Sequence, residues 1–243
     1  SVGSPNDEES ARPLLWRFWT KIPQKGQITL FARSWYSRAL AEQVSGIGWK
    51  RNIARSITAI NSFERQLVDD GTVLLKFFLH ISPEEQSRRL DEREHDALIS
   101  WMITKGDWDF HHQYDLYKPV IEQFIQETDH PSTPWTIVEA TDTHYTILRV
   151  YMTVIRALEK RLERSGGENS KNRKNNEIVK PKKIGVKRKS EAPAEYSKQQ
   201  YETLMPEYQE RIRTIHYRLY KRKIPLIIVY EGWDAAGKGG NIM

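Results

Sequence analysis

Near the end of the chain, Gly232-Trp233-Asp234-Ala235-Ala236-Gly237-Lys238-Gly239-Gly240 places its glycines and lysine at the spacing G-x-x-x-x-G-K. A loop of this kind can hold phosphate. The backbone N–H groups of Gly232, Trp233, Ala235, Ala236, Gly237, Gly239 and Gly240 would form a concave anion nest, and a helix opening behind it would add its positive end. Glycines let the main chain approach phosphate oxygens, and Lys238 supplies a point charge. Gly239 stands where such loops usually carry Ser or Thr, so no hydroxyl is on offer there for Mg²⁺. Asp234 is the nearest replacement oxygen donor. An ordinary glycine-rich turn would also use these glycines; Lys238 in register and a strand in front favour phosphate.

Other side chains could join that chemistry. Arg33 follows a short apolar run, at the carboxyl end of a predicted strand, where open α/β sheets place ligand-binding residues. A guanidinium there suits phosphate oxygens, and equally a neighbouring carboxylate. Arg88, Arg89 and Arg93 could clamp phosphate, or could form a charged helix face paired with Glu92 or Glu94. His111 and His112 with Asp107 and Asp109 invite a metal, but their spacing fits no zinc pattern.

These residues need elements to position them. Ile224-Pro225-Leu226-Ile227-Ile228-Val229 predicts a buried strand feeding the loop. Residues 27–32, 72–81 and 134–140 predict three more. Asp7, Glu8 and Glu9 suit a first helical turn, and residues 14–22 predict an apolar helix ended by Pro23 and Gly26. A short helix runs through Val44, and a long one from Trp49 to Asp70 shows Ile53, Ile57, Ile60, Phe63 and Leu67 on one face. Ser82-Pro83-Glu84-Glu85 is a capping box opening a helix. Helical segments are expected at 96–104 and 112–127, broken near Lys105-Gly106, then at 143–164 and 197–222. Strands alternating with helices imply an α/β fold with a parallel sheet covered on both faces. Trp16, Trp19, Trp35, Tyr36, Trp49, Trp101, Trp108 and Trp135 lie mostly in apolar patterns, which predicts core packing rather than base stacking.

The chain has 243 residues, 38% apolar and 29% charged, and no cysteine. Disulfides and thiolate metal sites are excluded, and a cytoplasmic location is compatible and expected. The longest apolar runs, near 73–81 and 224–230, are far short of a membrane span, so no membrane is expected as a partner. No secretory signal is visible. The net charge of +6 is local. Residues 168–191 carry nine Lys or Arg and three Glu; taken from 38 and 32, that leaves 29 of each sign elsewhere. Residues 165–194, with Gly166-Gly167, Pro181 and Pro193, read as a solvated basic linker. Nucleic-acid binding through Lys171–Lys189 is a minor alternative.

Several segments together resemble the polyphosphate kinase 2 family: the loop GWDAAGKGG, Leu15-Trp16-Arg17-Phe18-Trp19, Ile22-Pro23, Phe31-Ala32-Arg33-Ser34-Trp35-Tyr36, Leu75-Lys76-Phe77-Phe78-Leu79, Asp107-Trp108, and Pro134-Trp135 with Val138-Glu139-Ala140. The resemblance implies a three-layer P-loop kinase fold that moves a phosphoryl group from inorganic polyphosphate to a nucleotide, chiefly AMP to ADP, with Mg²⁺, in a homo-oligomer. It implies that Asp234 holds metal, Lys238 holds phosphate, Arg33 meets the transferring phosphates, and Arg88, Arg89 and Arg93 belong to a lid helix. The family's P-loop precedes its LWRFW and RSWY segments, whereas here it follows them. Two fused modules, as in polyphosphate:AMP phosphotransferases, would explain this. Residues 1–164 would be the later part of module one, without its own P-loop. Residues 165–194 would be the linker, and residues 195–243 the opening helix, strand and P-loop of module two. A linker of about 30 residues spans roughly 30 Å, so the last strand is expected to dock into the vacant central position of the sheet, beside 72–80 or 27–32.

The sequence also departs from the family pattern. Ala32 stands where members usually carry a metal-holding Asp before Arg-Ser-Trp-Tyr, and Met102 follows Trp101 in place of Lys. His111-His112-Gln113-Tyr114 replaces Trp-Asp-x-Tyr, and Glu127-Thr128-Asp129 replaces Arg-Thr-Ser. Phosphoryl transfer depends on positioned cations and a held metal, so these departures point to a weakened or silent first module. The alternative function is a non-catalytic half-module that binds polyphosphate or serves assembly.

Overall fold

Four apolar runs become four parallel strands: β1 (Ile28–Ala32), β2 (Val73–His80), β3 (Trp135–Glu139) and β4 (Leu226–Gly232). The computed structural model describes residues 6–44, 49–167 and 196–239. Among these the helices are α1 (Asp7–Ala11), α2 (Trp16–Trp19), α3 (Trp35–Val44), α4 (Trp49–Asp69), α5 (Pro83–Glu94), α6 (Lys105–His112), α7 (Tyr114–Thr128), α8 (Thr143–Gly167) and α9 (Lys198–Lys221). α8 runs three residues into the stretch expected to be linker; residues 168–195 lie outside the described part, as does Gly240 of the glycine loop.

The strand order is β1-β4-β2-β3. The last strand in sequence is therefore central. Leu226 pairs with Ile28 on one side and Val73 on the other, and the register continues to Tyr230 opposite Ala32 and Phe77. The strand takes the expected central position and pairs with both of the neighbours named as alternatives. The reason lies in composition: every residue from Leu226 to Glu231 is buried, and only a two-sided position satisfies both such side chains and the main-chain groups between them.

Alternate strand residues face opposite layers. Phe77 and Tyr230 stack at 5.5 Å on the side of α8 and α9. Lys76 points the other way, toward α3, α4 and α7. Its Nζ is fully buried, 2.8 Å from Glu64 and 2.8 Å from the Thr128 carbonyl. Glu64 also accepts from Tyr36 Oη at 2.5 Å, Trp35 Nε1 at 3.1 Å and Thr133 Oγ1 at 3.3 Å. Burial pushes the Lys76 ammonium below its usual range, opposed by Glu64, and lifts the Tyr36 phenol well above its own. The network knots α3, α4, β2 and the end of α7 into one layer.

Local signals explain most boundaries. Asn6 and Glu9 form a reciprocal cap on α1. α4 stops where Gly71, at φ +92°, closes a double C-terminal bond: Gly71 N to Val68 O and Thr72 N to Leu67 O, each 2.9 Å. Ser82 caps α5, but Glu85 turns to Arg88 and Arg89 instead of completing the box.

Three expectations need correction. The apolar helix over 14–22 shrinks to Trp16–Trp19, because the residue before each of Pro13 and Pro23 is steered away from helical geometry and Arg12 is extended. The break near Lys105-Gly106 is instead the start of α6, since Thr104 N and Oγ1 both donate to Asp107. Residues 96–104 hold only a short 3-10 turn, which offers no continuous face to the core; Trp101 is accordingly 78% exposed rather than packed.

Two stability results are expected. Lys76→Met leaves Glu64 buried without its cation and should lose about 3–5 kcal/mol in urea unfolding; a Glu64→Leu/Lys76→Met pair should recover part of it. Gly232, at φ +143°, has no room for a side chain: an added Cβ would lie 2.3 Å from Leu79 O. Gly232→Ala should lose about 2–6 kcal/mol, while Gly239→Ala, with nothing within 4 Å, should stay within about 0.5 kcal/mol of the parent.

Candidate active site

The carboxyl ends of β1, β4 and β2 meet at the point where the chain skips over the central strand, and a crevice forms there. β1 turns at Arg33, whose backbone is left-handed at φ +63°. Arg33 N donates to Tyr230 O at 3.1 Å. The next turn is held by Glu231, a buried residue near the end of β4. Its carboxylate accepts from Ser34 N and Ser34 Oγ, each at 2.7 Å, and from Ser37 Oγ at 2.5 Å. A carboxylate at the opening of α3 also suits the positive end of that helix. Glu231 thus ties the strand of the glycine loop to the turn that presents Arg33.

The loop itself alternates handedness, with positive φ at Gly232 (+143°), Ala235 (+63°) and Gly237 (+88°). Left-handed residues among right-handed ones are the backbone pattern of an anion nest, but the N–H groups of Trp233 and Ala236, expected to line it, are spent on Leu79 O and Trp233 O. Trp233 sits within the proposed phosphate loop, but its side chain is a buried pin. It stacks on Tyr114 at 3.7 Å and lies 5.5 Å from Phe110. Its indole N–H donates to His80 Nδ1 at 3.3 Å. Burial pushes the His80 imidazole below its usual range, which favours the neutral ring that this acceptor role needs. Its main chain is engaged as well: Trp233 N donates to Leu79 O at 3.3 Å, and Trp233 O accepts from Ala236 N at 3.2 Å.

Lys238 curls back over the loop. Its Nζ donates to Gly232 O at 2.7 Å and Trp233 O at 2.8 Å, and lies 3.4 Å from Asp234 Oδ1. The same oxygen of Asp234 receives Arg33 Nη2 at 2.6 Å. Burial pushes the Asp234 carboxyl up, but Lys238 and Arg33 outweigh it and hold it below its ordinary value. Burial lowers the Lys238 ammonium, with Asp234 opposing. Asp234 raises Arg33. Arg33 and Lys238, both expected to do the chemistry, therefore meet on Asp234, although Arg33 lies 201 positions before it.

The expected lid arginines part company. Arg89 Nη1 donates to Ala235 O at 3.1 Å, and its Nη2 reaches Ala140 O and Thr141 O at 2.8 and 2.7 Å. It braces the loop rather than reaching into the crevice. Arg88 is exposed and pairs with Glu85 and Glu92, the charged helix face allowed by the sequence. Arg93 is half-buried on the same helix. Gln86, fully buried, donates to Asp234 O at 3.3 Å, and its Oε1 lies 3.0 Å from His111 Nδ1. His111 thus supports the loop through Gln86. Among the described residues no group of three or more His, Asp or Glu is arranged to hold a metal.

A cleft of about 390 Å³ opens over the loop, lined by Arg33, Lys238, Asp234, Asp107, Asp109 and Tyr117 among others. A smaller apolar cavity of about 170 Å³ beneath α8 and α9 has no carboxylate, lysine or arginine in its wall. The chemistry lies in the first. Its donor set suits magnesium in a limited way. Asp234 is a hard oxygen ligand, while Ala32 and Gly239 add no oxygen. A cation at Asp234 would take one protein carboxylate and complete its shell with phosphate oxygens and water, a common arrangement for Mg²⁺. Glu231, Gln86, Tyr114 and His80 were not foreseen. The only sequence trace of Glu231 is a charge closing an otherwise apolar strand.

A family model described as "Polyphosphate kinase 2 (PPK2)" matches residues 1–166 and 195–243. A polyphosphate:AMP phosphotransferase of Pseudomonas syringae is 37% identical over 163 residues, 67% of this chain and 33% of that protein. An AMP/ADP-polyphosphate phosphotransferase of Meiothermus ruber is 35% identical over 159 residues, 65% of this chain and 60% of that protein. The chain thus spans between a third and three fifths of the length of these curated relatives. The crystal structure of polyphosphate kinase 2 from Arthrobacter aurescens TC1 superposes with a TM-score of 0.63 at 31% identity, covering 65% of this chain and 56% of that one. With both matched segments joined in one parallel sheet, the chain belongs to the polyphosphate kinase 2 family.

Proposed function

We propose that the protein to which this chain belongs transfers a phosphoryl group from inorganic polyphosphate to AMP, giving ADP and a polyphosphate shorter by one unit. The observation that carries this is the contact of Lys238, Asp234 and Arg33 over a glycine nest at the sheet's carboxyl edge. An oxygen of the AMP phosphate attacks the terminal phosphorus in line. The bridging P–O bond breaks, and the departing chain keeps the electron pair. The nest and Lys238 hold the phosphate oxygens, and Arg33 meets charge on the group in flight. Bound Mg²⁺ would add its positive charge to those same oxygens. The lid role of α5 belongs to the same reading, with Arg93 and the Glu-paired Arg88 as its cations and Arg89 as its anchor.

Two modules in tandem fit the comparisons. The matched stretch fills a third of the Pseudomonas relative but three fifths of the Meiothermus one, so the former is nearly twice as long. The family match is also interrupted between residues 166 and 195, where the sequence reads as linker. A homo-oligomer remains part of the proposal.

A second reading is favoured by Ala32, which ends β1 next to Arg33 and offers no oxygen: a half-module that binds polyphosphate but does not turn it over. ADP formation from AMP and polyphosphate by the purified chain separates the two. Turnover is expected, and Lys238→Ala should lower it by about 10²-fold or more. Pyrophosphate binding without any ADP would establish the binding role, and no binding in either form would end both.

A further inference from the structure

Both cations that a phosphate would need are already engaged, and by a single oxygen. Arg33 Nη2 lies 2.6 Å and Lys238 Nζ 3.4 Å from Asp234 Oδ1. The other donors of Lys238 point at the Gly232 and Trp233 carbonyls. Glu231 and Asp107 add weaker attraction, Glu231 for both cations and Asp107 for Arg33, but their hydrogen bonds go elsewhere. Glu231 is occupied by Ser34 and Ser37, and Asp107 by Thr104. The partners are fixed from outside: Arg33 by its left-handed backbone and the bond to Tyr230 O, Asp234 through Gln86 on its carbonyl. Asp234 is only 18% exposed, so water screens it poorly.

We infer that Asp234 is a resident counter-anion that makes the nest discriminate against bare polyanions. The inference rests on the reading that this nest takes polyphosphate, and it adds which form of polyphosphate is admitted. A metal-free phosphate entering the nest must compete with the carboxylate for Arg33 and Lys238. It must also sit beside that carboxylate, in a partly buried site where like charges repel strongly. A polyphosphate carrying a divalent cation meets neither obstacle, because the carboxylate then faces positive charge. The aspartate is thus a specificity determinant for the charge state of the donor, separate from any part it takes in transfer.

The test is calorimetric binding of sodium tripolyphosphate to the full chain, in excess EDTA and in excess Mg²⁺, with no nucleotide present. Wild type should bind at least about tenfold tighter with Mg²⁺ than without. Asp234→Asn should bind the metal-free anion at least about tenfold tighter than wild type, and its ratio between the two conditions should fall toward one. Asp234→Ser serves as a second variant, and circular dichroism checks that each folds. The inference is overturned if the folded variants bind metal-free tripolyphosphate no better than wild type. It is overturned independently of any variant if wild type binds equally in both conditions. If wild type binds in neither condition, the phosphate reading of the nest fails first, and this inference falls with it.

Discussion

One strand carries the architecture. β4 supplies the main-chain groups that join β1 to β2, and without it these two strands share no hydrogen bond. Burial on both faces and pairing on both edges make Leu226–Gly232 the most constrained segment of the sheet. The site is a consequence of this placement. Because β4 runs parallel to β1 and in register with it, the loop after Gly232 emerges beside Arg33. Because it runs parallel to β2, the same loop packs on Leu79 and His80.

Rigidity around the loop comes from three directions and from different chemistry in each. Glu231 holds the turn before α3 through charge-assisted hydrogen bonds. Trp233 is trapped between aromatic side chains and the His80 ring. Arg89 and Gln86 reach from α5 to carbonyls of the loop. The Lys76–Glu64 pair lies farther back, but Tyr36 and Trp35 bind the same carboxylate and sit next to Ser34, so the buried network also steadies the Arg33 turn. Polar groups are costly to bury. Here each is answered by several partners, which converts that cost into a single geometry.

Much of this was legible in the sequence, for identifiable reasons. The loop could be read because phosphate nests demand glycine at fixed spacing. The strands could be read from β-branched runs, and the buried face of α4 from its helical period, since Ile57, Ile60, Phe63 and Leu67 are indeed core. Arg33 could be placed near the crevice from strand direction alone. What stayed hidden depends on distant partners. Whether Arg89 grips substrate or a carbonyl is decided by where α5 lies relative to Ala235. Trp101 looks apolar in sequence and is exposed because its segment has no regular face. The central place of β4 could be posed from the vacancy in the sheet, but pairing with both named neighbours emerges only when a strand buried from Leu226 to Glu231 has to satisfy both edges.

The central claim is that the strand ending in the glycine loop pairs with both neighbours and thereby sets its nest against Arg33. Hydrogen–deuterium exchange of the whole chain, with and without magnesium tripolyphosphate, tests it most directly. Amides of 226–232 should be protected as strongly as those of 73–80, and the ligand should add protection at 233–239 and at Arg33-Ser34. Free exchange across 226–232, or ligand protection confined to other segments, would contradict the account.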